Sequence, residues 1–401
     1  MENTLQFLAE ARELAGSAEI LPNLQDLAAR LAQAKDASRP LRVKFGVDPT
    51  SANLHLGHTV GLRALRRFQD RGHSIFLVIG GYTAQLGDPT GRNTARPPLS
   101  AEQVAFNAAT YLNQVSLILD MERVTVVNNA DWLSKVDLIK LAALVTANQL
   151  LAKDGFASRL EAQQPLGLHE LLYPLLQGFD SVQIEADIEI GGTDQRFNIL
   201  MGRHLQPHFK QQPQLAMLLP LLVGMDGARK MSKSFGNSIG LTDSPEQIFT
   251  KVMSLPDAQI VPFFELVSGV PGERLDALKI ELAAGRNPKQ AKEELGRLLI
   301  TQFHNEATAQ EAAAEWNRVH SQRLVPQDMP SHKLSAASLI VDLLKNSGLA
   351  SSKNQARQLI AGGGVRLDGE KVSDATALVA LPPPAGTILQ VGRRQFIRLI
   401  A

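Results

Sequence analysis

The sequence predicts an α/β protein. A doubly wound parallel sheet is expected over residues 1–240, an all-helical segment over 241–325, a linker at 326–333 and a small α+β module over 334–401. Three observations predict it. Short β-branched runs alternate with helix-periodic segments through the first half, the pattern of a parallel sheet flanked by helices. Polar, glycine-bearing turns follow several of those runs, where strand carboxyl ends of such sheets bind ligands. Beyond Ser321, Pro326 and Pro330 interrupt the helical pattern and the charge balance turns basic.

Taken in order, residues 1–35 read as helices (Leu5, Leu8, Ala11; Leu24, Leu27, Leu31). Residues 41–47 are a short apolar strand, Asp48-Pro49-Thr50 is turn chemistry, and Leu56, Val60, Ala64 and Phe68 mark a helix. A buried strand at 74–79 ends at Gly80-Gly81 and the loop 87–93. Ser100 and Gln103 form a capping box for a helix to about residue 119. A strand at 124–127 and a helix at 136–144 follow. The helix around 168–179 places Tyr173, Gln177 and Asp180 at i, i+4 and i+7, one polar stripe amid leucines, with Pro174 expected to start or kink it. Because the flanking leucines point to burial, those polar groups need partners. A strand at 187–190 leads into Gly191-Gly192-Thr193-Asp194-Gln195, which opens a helix to His204.

After the apolar run 215–223, Ser244-Pro245-Glu246-Gln247 caps another helix, with more helices at 261–267, 273–283, 288–303 and 307–320. In the last module, helices at 338–346 and 353–361 precede a hairpin at 365–372 whose Asp368-Gly369 is a type I′ turn signal. A final strand pair surrounds Gly392-Arg393-Arg394.

Composition narrows the function classes. With 401 residues, 44% of them hydrophobic, the chain is long enough for two or three domains with a large core. The absence of cysteine excludes disulfides, thiolate metal sites and thiol nucleophiles. The acidic N-terminal stretch is unlike a signal or transit peptide, and the run 215–225 is too short to span a bilayer, so a cytoplasmic protein is expected. Net charge is only +1, yet residues 334–401 hold eight Lys/Arg against four Asp/Glu, which suggests a polyanionic partner for that module.

The chemistry is expected where the first strand turns into its helix. His55 and His58 lie three apart on the first turn, at the end that presents free N–H groups and attracts phosphate, and Gly57 between them leaves a flat ligand room to approach. Alone, the pair reads equally as solvated helix-end residues or phosphate ligands. A metal pair is the weaker reading, because the zincin spacing is absent and there is no cysteine. A second motif, Lys230-Met231-Ser232-Lys233-Ser234, offers two lysines and two hydroxyls able to clamp a polyphosphate, or simply a charged loop.

Together the HLGH and KMSKS motifs resemble those of class I aminoacyl-tRNA synthetases, which implies a Rossmann-like catalytic domain. Residues 356–360 and 364–367 resemble the S4-type RNA-binding fold. Within class I, Asp48-Pro49-Thr50, the Tyr173, Gln177, Asp180 stripe and Gly191–Gln195 are similar to those of the tyrosyl enzymes. The resemblance implies that Thr50, His55, His58, Lys230 and Lys233 act on the phosphates, and that Asp48, Gly57, Gly192, Asp194, Met231 and Lys233 line the ATP site. It implies a tyrosine pocket of Lys44, Asp88, Tyr173, Gln177, Asp180 and Gln195, with Asp180 accepting the phenol proton and Asp88, Tyr173 and Gln177 holding the ammonium. Many members carry tyrosine where this chain has Lys44, a lysine that can donate to the phenol or pair with Asp180. Lys353, Arg357, Arg366, Arg393 and Arg394 are the expected RNA contacts. Mg²⁺ is expected to arrive with ATP rather than on a protein-ligated metal site. A homodimer and tRNA(Tyr), L-tyrosine and ATP as partners are also implied. The alternatives are a tryptophanyl enzyme, a non-catalytic RNA-binding protein on the same scaffold, and a small nucleotidylyltransferase with an HxGH helix.

Overall fold

The computed structural model describes residues 2–90, 99–320, 329–334, 336–380, 387–392 and 395–400, which divide into two units, Met1–Gln310 and Glu311–Ala401. In the first, strands β1 (Glu19–Leu21), β2 (Arg42–Val47), β3 (Ser74–Ile79), β4 (Val124–Asn128), β5 (Ile188–Gly192) and β6 (Leu215–Leu219) form one sheet in the order β1-β6-β5-β2-β3-β4. Every pairing is parallel except that of β1 with β6. The chain runs outward from β2 through β3 to β4 and then resumes on the other side of β2. The strand order therefore reverses between β2 and β5, and the crevice beyond their carboxyl ends is where such a sheet binds ligands.

Residues in β6 are all buried, and Val43 and Leu77 are fully enclosed, as apolar runs covered by helices on both faces should be. The short β1 escaped the sequence reading, which took residues 1–35 as wholly helical. Its three residues lie between helices α1 (Glu2–Ala15) and α2 (Leu24–Asp36), too few to show an alternation. Helix α3 (Leu56–Asp70) covers the sheet through Val60, Ala64, Leu65 and Phe68. The helix read at 136–144 is the shorter Leu138–Ala142, and a further short helix, Ala130–Leu133, precedes it.

The Leu168–Gln183 helix runs unbroken through Pro174, which forfeits one backbone hydrogen bond while Leu175, Leu176 and Phe179 anchor it in an apolar cluster. It packs against the Arg196–Leu205 helix at Gly178, where an added Cβ would come within 3.0 Å of the backbone at Met201 and Gly202.

The helices Pro245–Met253, Gly272–Ala283 and Pro288–Phe303 fall in the first unit with the sheet. The second unit differs from expectation in two respects. Ser338–Leu339, read as the start of a helix, is a short strand paired with Leu378–Val379. Ser331–Lys333, read as linker, is a strand (β7) pairing parallel with the last strand. Only three residues long and bracketed by Pro330, it carries no strand-length apolar signal. The hairpin at Asp368-Gly369 has φ of +49° and +86°, the left-handed pair that a type I′ turn demands. Leu343, Leu344, Ala356, Ile360, Val365 and Leu389 form its core.

Gly178→Ala is expected to push two closely packed helices apart and cost about 1–3 kcal/mol, read as a lowered urea midpoint with an unchanged slope.

Candidate active site

The crevice is built from the residues that follow each central strand. Asp48 follows β2, Gly80 follows β3, Asn129 follows β4 and Thr193 follows β5. Gly80 is needed there because a Cβ would collide with the Asp48 carboxylate.

At the mouth, His55 is the cap of α3: its Nδ1 accepts from Gly57 N at 3.2 Å, and the His58 Nδ1 accepts from His55 N at 3.2 Å. A ring nitrogen that accepts carries no proton, so the His55 ring holds its proton on Nε2 and can donate from it, while His58 Nδ1 also lies 3.3 Å from His55 O, a partner that would take a proton from it. Burial pushes the His55 imidazole down to about 3 and that of His58 to about 4. The neighbouring Lys233 charge acts in the same direction on both. Both are therefore neutral donors at a helix N-terminus that is itself electropositive. The rings lie 4.0 Å apart, and Tyr111 meets His58 edge-on. A cavity of about 210 Å³ opens here, lined by Phe45, Val47, Asp48, Thr50, His58 and Tyr111.

The KMSKS segment comes to the same place. Leu56 N donates to Ile239 O at 2.9 Å and Leu241 N to Leu54 O at 3.1 Å, so the strand-like stretch after KMSKS pairs with the turn before α3. Lys233 Nζ donates to Ser51 Oγ (3.0 Å) and Asn53 O (2.6 Å), beside Thr50. Met231 is buried, and its Cβ lies 3.7 Å from where a Gly57 side chain would begin. Lys230 reaches the other wall, pairing with Asp194 at 2.8 Å next to Gly192. Asn237, nearly fully buried, accepts from Ser232 N at 2.8 Å and donates to Asp226 at 3.0 Å, fixing the arm.

Deeper in, polar groups form a chain. Tyr173 Oη donates to Asp48 Oδ2 (2.7 Å), Thr83 Oγ1 to Asp48 Oδ1 (2.8 Å), and Asn129 Nδ2 to both Thr83 Oγ1 (3.0 Å) and Asp180 Oδ2 (3.2 Å). Trp132 Nε1 donates to Asp180 Oδ1 at 2.8 Å. Desolvation pushes Asp48 up to about 7 and Asp180 up to about 6. The Asp180 carboxylate retains lone pairs for one more donor, such as a hydroxyl. On the far side, Gln195 Nε2 donates to Asp88 Oδ2 (2.8 Å) and Asn198 Nδ2 to Gln195 Oε1 (2.8 Å). Lys153, 7% exposed, bonds Thr90 and Asn198 at 2.8 Å each.

Lys44 is placed differently from expectation. It is 0% exposed and lies beneath the Leu168–Gln183 helix, paired with Glu189 at 2.9 Å and donating to Gln177 O (2.9 Å) and Ser181 Oγ (2.8 Å). Its three donors are used, so none is left for a phenol or for Asp180. Gln177 donates to Glu189 Oε1 at 3.2 Å, which leaves its own carbonyl as an acceptor. Lys353, Arg357 and Arg366 are exposed on the second unit, while Arg393 and Arg394 lie outside the described residues. No cluster of three or more potential metal-ligating His, Cys, Asp or Glu side chains occurs among the described residues.

Sequence reasoning missed Thr83, Asn129, Trp132, Lys153, Glu189 and Asn237. Two carried a signal: Glu189 is a lone charge between isoleucines in a buried strand, and Asn129 closes a strand at its ligand-binding end.

A cleft at the sheet's switch point that joins a histidine-capped helix, a lysine-bearing arm and a deep carboxylate defines a class I aminoacyl-tRNA synthetase. A family model for class I tRNA synthetases (W and Y) matches residues 35–321, and an S4 domain model matches 340–379. The tyrosine–tRNA ligase of Moorella thermoacetica is 44% identical over 96% of this chain and 94% of that protein. That of Thiobacillus denitrificans is 44% identical over 100% and 99%. The chain belongs to the tyrosyl-tRNA synthetase family. In fold it is similar to the C-terminally truncated mitochondrial tyrosyl-tRNA synthetase of Aspergillus nidulans (TM-score 0.64, 19% identity, 80% of this chain and 99% of that one). It is also similar to the Archaeoglobus fulgidus enzyme complexed with L-tyrosine (TM-score 0.61, 20% identity, 77% and 99%).

Because their pKa values are lowered, His55 and His58 should stay neutral as pH falls from about 8 to about 5, with the His55 proton on Nε2. Imidazole nitrogen shifts in NMR would show it, and a protonation midpoint within or above that range would contradict the assignment.

Proposed function

We propose that the chain activates L-tyrosine with ATP and transfers it to the 3′-terminal ribose of tRNA(Tyr). The observation that carries this reading is the convergence of Gly57, Met231 and Lys233 on one mouth, above a buried Asp180 with acceptor capacity to spare.

In the first step the tyrosine carboxylate oxygen attacks the α-phosphorus of ATP, the bond to the β-phosphate oxygen breaks, and pyrophosphate leaves. In the second, a ribose hydroxyl of the tRNA attacks the activated carbonyl and releases AMP. The substrate supplies its own nucleophile, so the protein's task is positioning and charge stabilisation. Neutral His55 and His58 donate ring N–H bonds to phosphate oxygens, Thr50 adds a hydroxyl, and Lys230 and Lys233 supply the formal positive charge. ATP enters as its Mg²⁺ complex. Gly57 and Gly192 let the nucleotide lie against backbone, with Asp48 and Asp194 nearby. Asp88, the Gln177 carbonyl and the Tyr173 oxygen are acceptors suited to an ammonium, with Gln195 beside Asp88.

Selectivity follows from Asp180. A phenol donates to its carboxylate, whereas a phenylalanine ring would bury that acceptor with its last site unfilled, at a cost of ~1–3 kcal/mol or more.

The second unit, with its basic surplus and S4 match, is assigned to tRNA. A second copy of the chain is assigned as partner through exposed apolar side chains such as Ile139 and Leu168 on the first unit. No helix among the described residues is long and apolar enough to cross a membrane, and a cytoplasmic location fits the substrates.

Pyrophosphate exchange with each of the twenty amino acids should respond to tyrosine; a response to tryptophan alone would overturn the reading. Lys233→Ala should lower kcat for exchange about 10- to 100-fold with a far smaller change in KM for ATP, since its contacts strengthen in the transition state.

Lys353→Glu combined with Arg357→Glu should leave tyrosine activation intact while weakening tRNA charging, and should flatten the salt dependence of tRNA binding. Unchanged charging would remove these two residues from the RNA surface.

A further inference from the structure

The pocket described above rests on a cluster of buried polar side chains that none of its proposed substrate contacts explains. Lys44 on β2 and Glu189 on β5 are directly opposite one another in the parallel ladder, at the two strands between which the sheet reverses order. They are 0% and 1% exposed, in strands otherwise made of apolar side chains at those depths. Every hydrogen-bonding site on both is used. Lys44 donates to Gln177 O, Ser181 Oγ and Glu189 Oε1. Glu189 accepts from Lys44 and Gln177 Nε2 on one oxygen, and from Ser181 Oγ (2.9 Å) and Gln214 Nε2 (2.6 Å) on the other.

Two of those partners, Gln177 and Ser181, are one turn apart on the helix that also carries Tyr173 and Asp180. The pair grips both, and through Ser181 it grips the residue next to Asp180. A helix held at two points one turn apart can neither rotate about its axis nor slide along it without breaking charge-assisted bonds. What that fixes is the depth and direction of the Asp180 carboxylate. Trp132 and Asn129 hold its oxygens from the opposite side.

We propose that the buried Lys44–Glu189 pair is a positioning element for hydroxyl selectivity: it touches no substrate and clamps the Asp180-bearing helix to the sheet at the switch point. The inference rests on the reading of Asp180 as the phenol acceptor and deepens it. Lys44 also favours the charged form of Asp180 against the opposing effect of burial, with Glu189 pulling the other way.

The test compares tyrosine with phenylalanine in pyrophosphate exchange by the full chain. Variants are Lys44→Gln, Glu189→Gln, the milder Ser181→Ala, and the double variant Lys44→Gln/Glu189→Gln, in which two facing amides can bond without an orphan charge. Thermal melting checks that each one folds. The expected result is a fall of about tenfold or more in the tyrosine-to-phenylalanine ratio of kcat/KM for the folded single variants, and substantial recovery in the double. KM for ATP should stay within about twofold throughout, since uniform damage would move it too. Folded single variants with the wild-type ratio overturn the proposal, as does a loss shared equally by KM for ATP, or a double variant no better than the singles. If the unaltered chain shows no tyrosine-dependent exchange, it is the parent reading that fails, and that outcome is separately visible.

Discussion

Two backbone hydrogen bonds hold the proposed active site together. The pairing of Leu54 and Leu56 with Ile239 and Leu241 joins stretches almost two hundred residues apart, and every contact of the KMSKS arm with α3 follows from it. Side chains alone would hold such an arm poorly, because exposed lysines bring little net energy to a salt bridge and lose conformational entropy in making one. Backbone pairing sets the position first, and the buried Met231 and Asn237 hold it. Lys230 and Lys233 then need only swing between protein acceptors and a phosphate. Their present partners, an aspartate, a serine hydroxyl and a carbonyl, are all groups a triphosphate oxygen can replace one for one.

Electrostatically the crevice is divided by depth. The mouth offers neutral imidazoles, a helix terminus and two ammonium groups, all favouring anions. The floor holds Asp48, Asp88 and Asp180, all favouring cations or hydroxyl donors. An amino acid carries both signs within a few ångströms. On the proposed reading a zwitterion enters with its ammonium and side-chain hydroxyl down and its carboxylate up, beside the phosphates it must attack. Burial raises the pKa of both Asp48 and Asp180, because a floor of desolvated carboxylates is less stable than a solvated one. Structural economy would neutralise them. Their retention belongs with function.

Much of this was legible beforehand because it is local. The capping boxes at Ser100 and Ser244, the type I′ turn at Asp368-Gly369 and the placing of both histidines at the start of α3 are set by residues within a few positions of one another. The doubly wound parallel sheet and ligand loops at its strand carboxyl ends followed from strand-helix alternation, while the place where the strand order reverses did not. What stayed hidden depends on cross-strand register. Lys44 reads as one polar residue in an otherwise apolar strand, and only the pairing of β2 with β5 shows that Glu189 stands opposite it. Thr83 starts the short helix after β3, and Asn129 and Trp132 belong to the one after β4, and nothing in their spacing announces that they converge on Asp180 and Asp48. Pro174 was the opposite case, a strong local signal overruled by packing around it.

The buried pair under the pocket also shows why satisfaction rather than attraction decides such a case. Taking a lysine and a glutamate out of water costs several kcal/mol each, and well-packed apolar residues in their place are often as stable or more so. Net stability is thus a poor reason for Lys44 and Glu189 to lie at 0% and 1% exposure. Geometry is a better one. An apolar contact between helix and sheet tolerates small slips, since dispersion is nearly indifferent to direction, whereas six hydrogen-bonding contacts shared among Lys44, Glu189, Gln177, Ser181 and Gln214 admit one arrangement. Removing one charge would strand the other at about 3–5 kcal/mol, so the two are energetically one unit. A pocket that must tell a ring from the same ring with one added oxygen gains from a floor that cannot shift, and the stiffest anchoring available to a helix on a sheet is a fully satisfied charge pair.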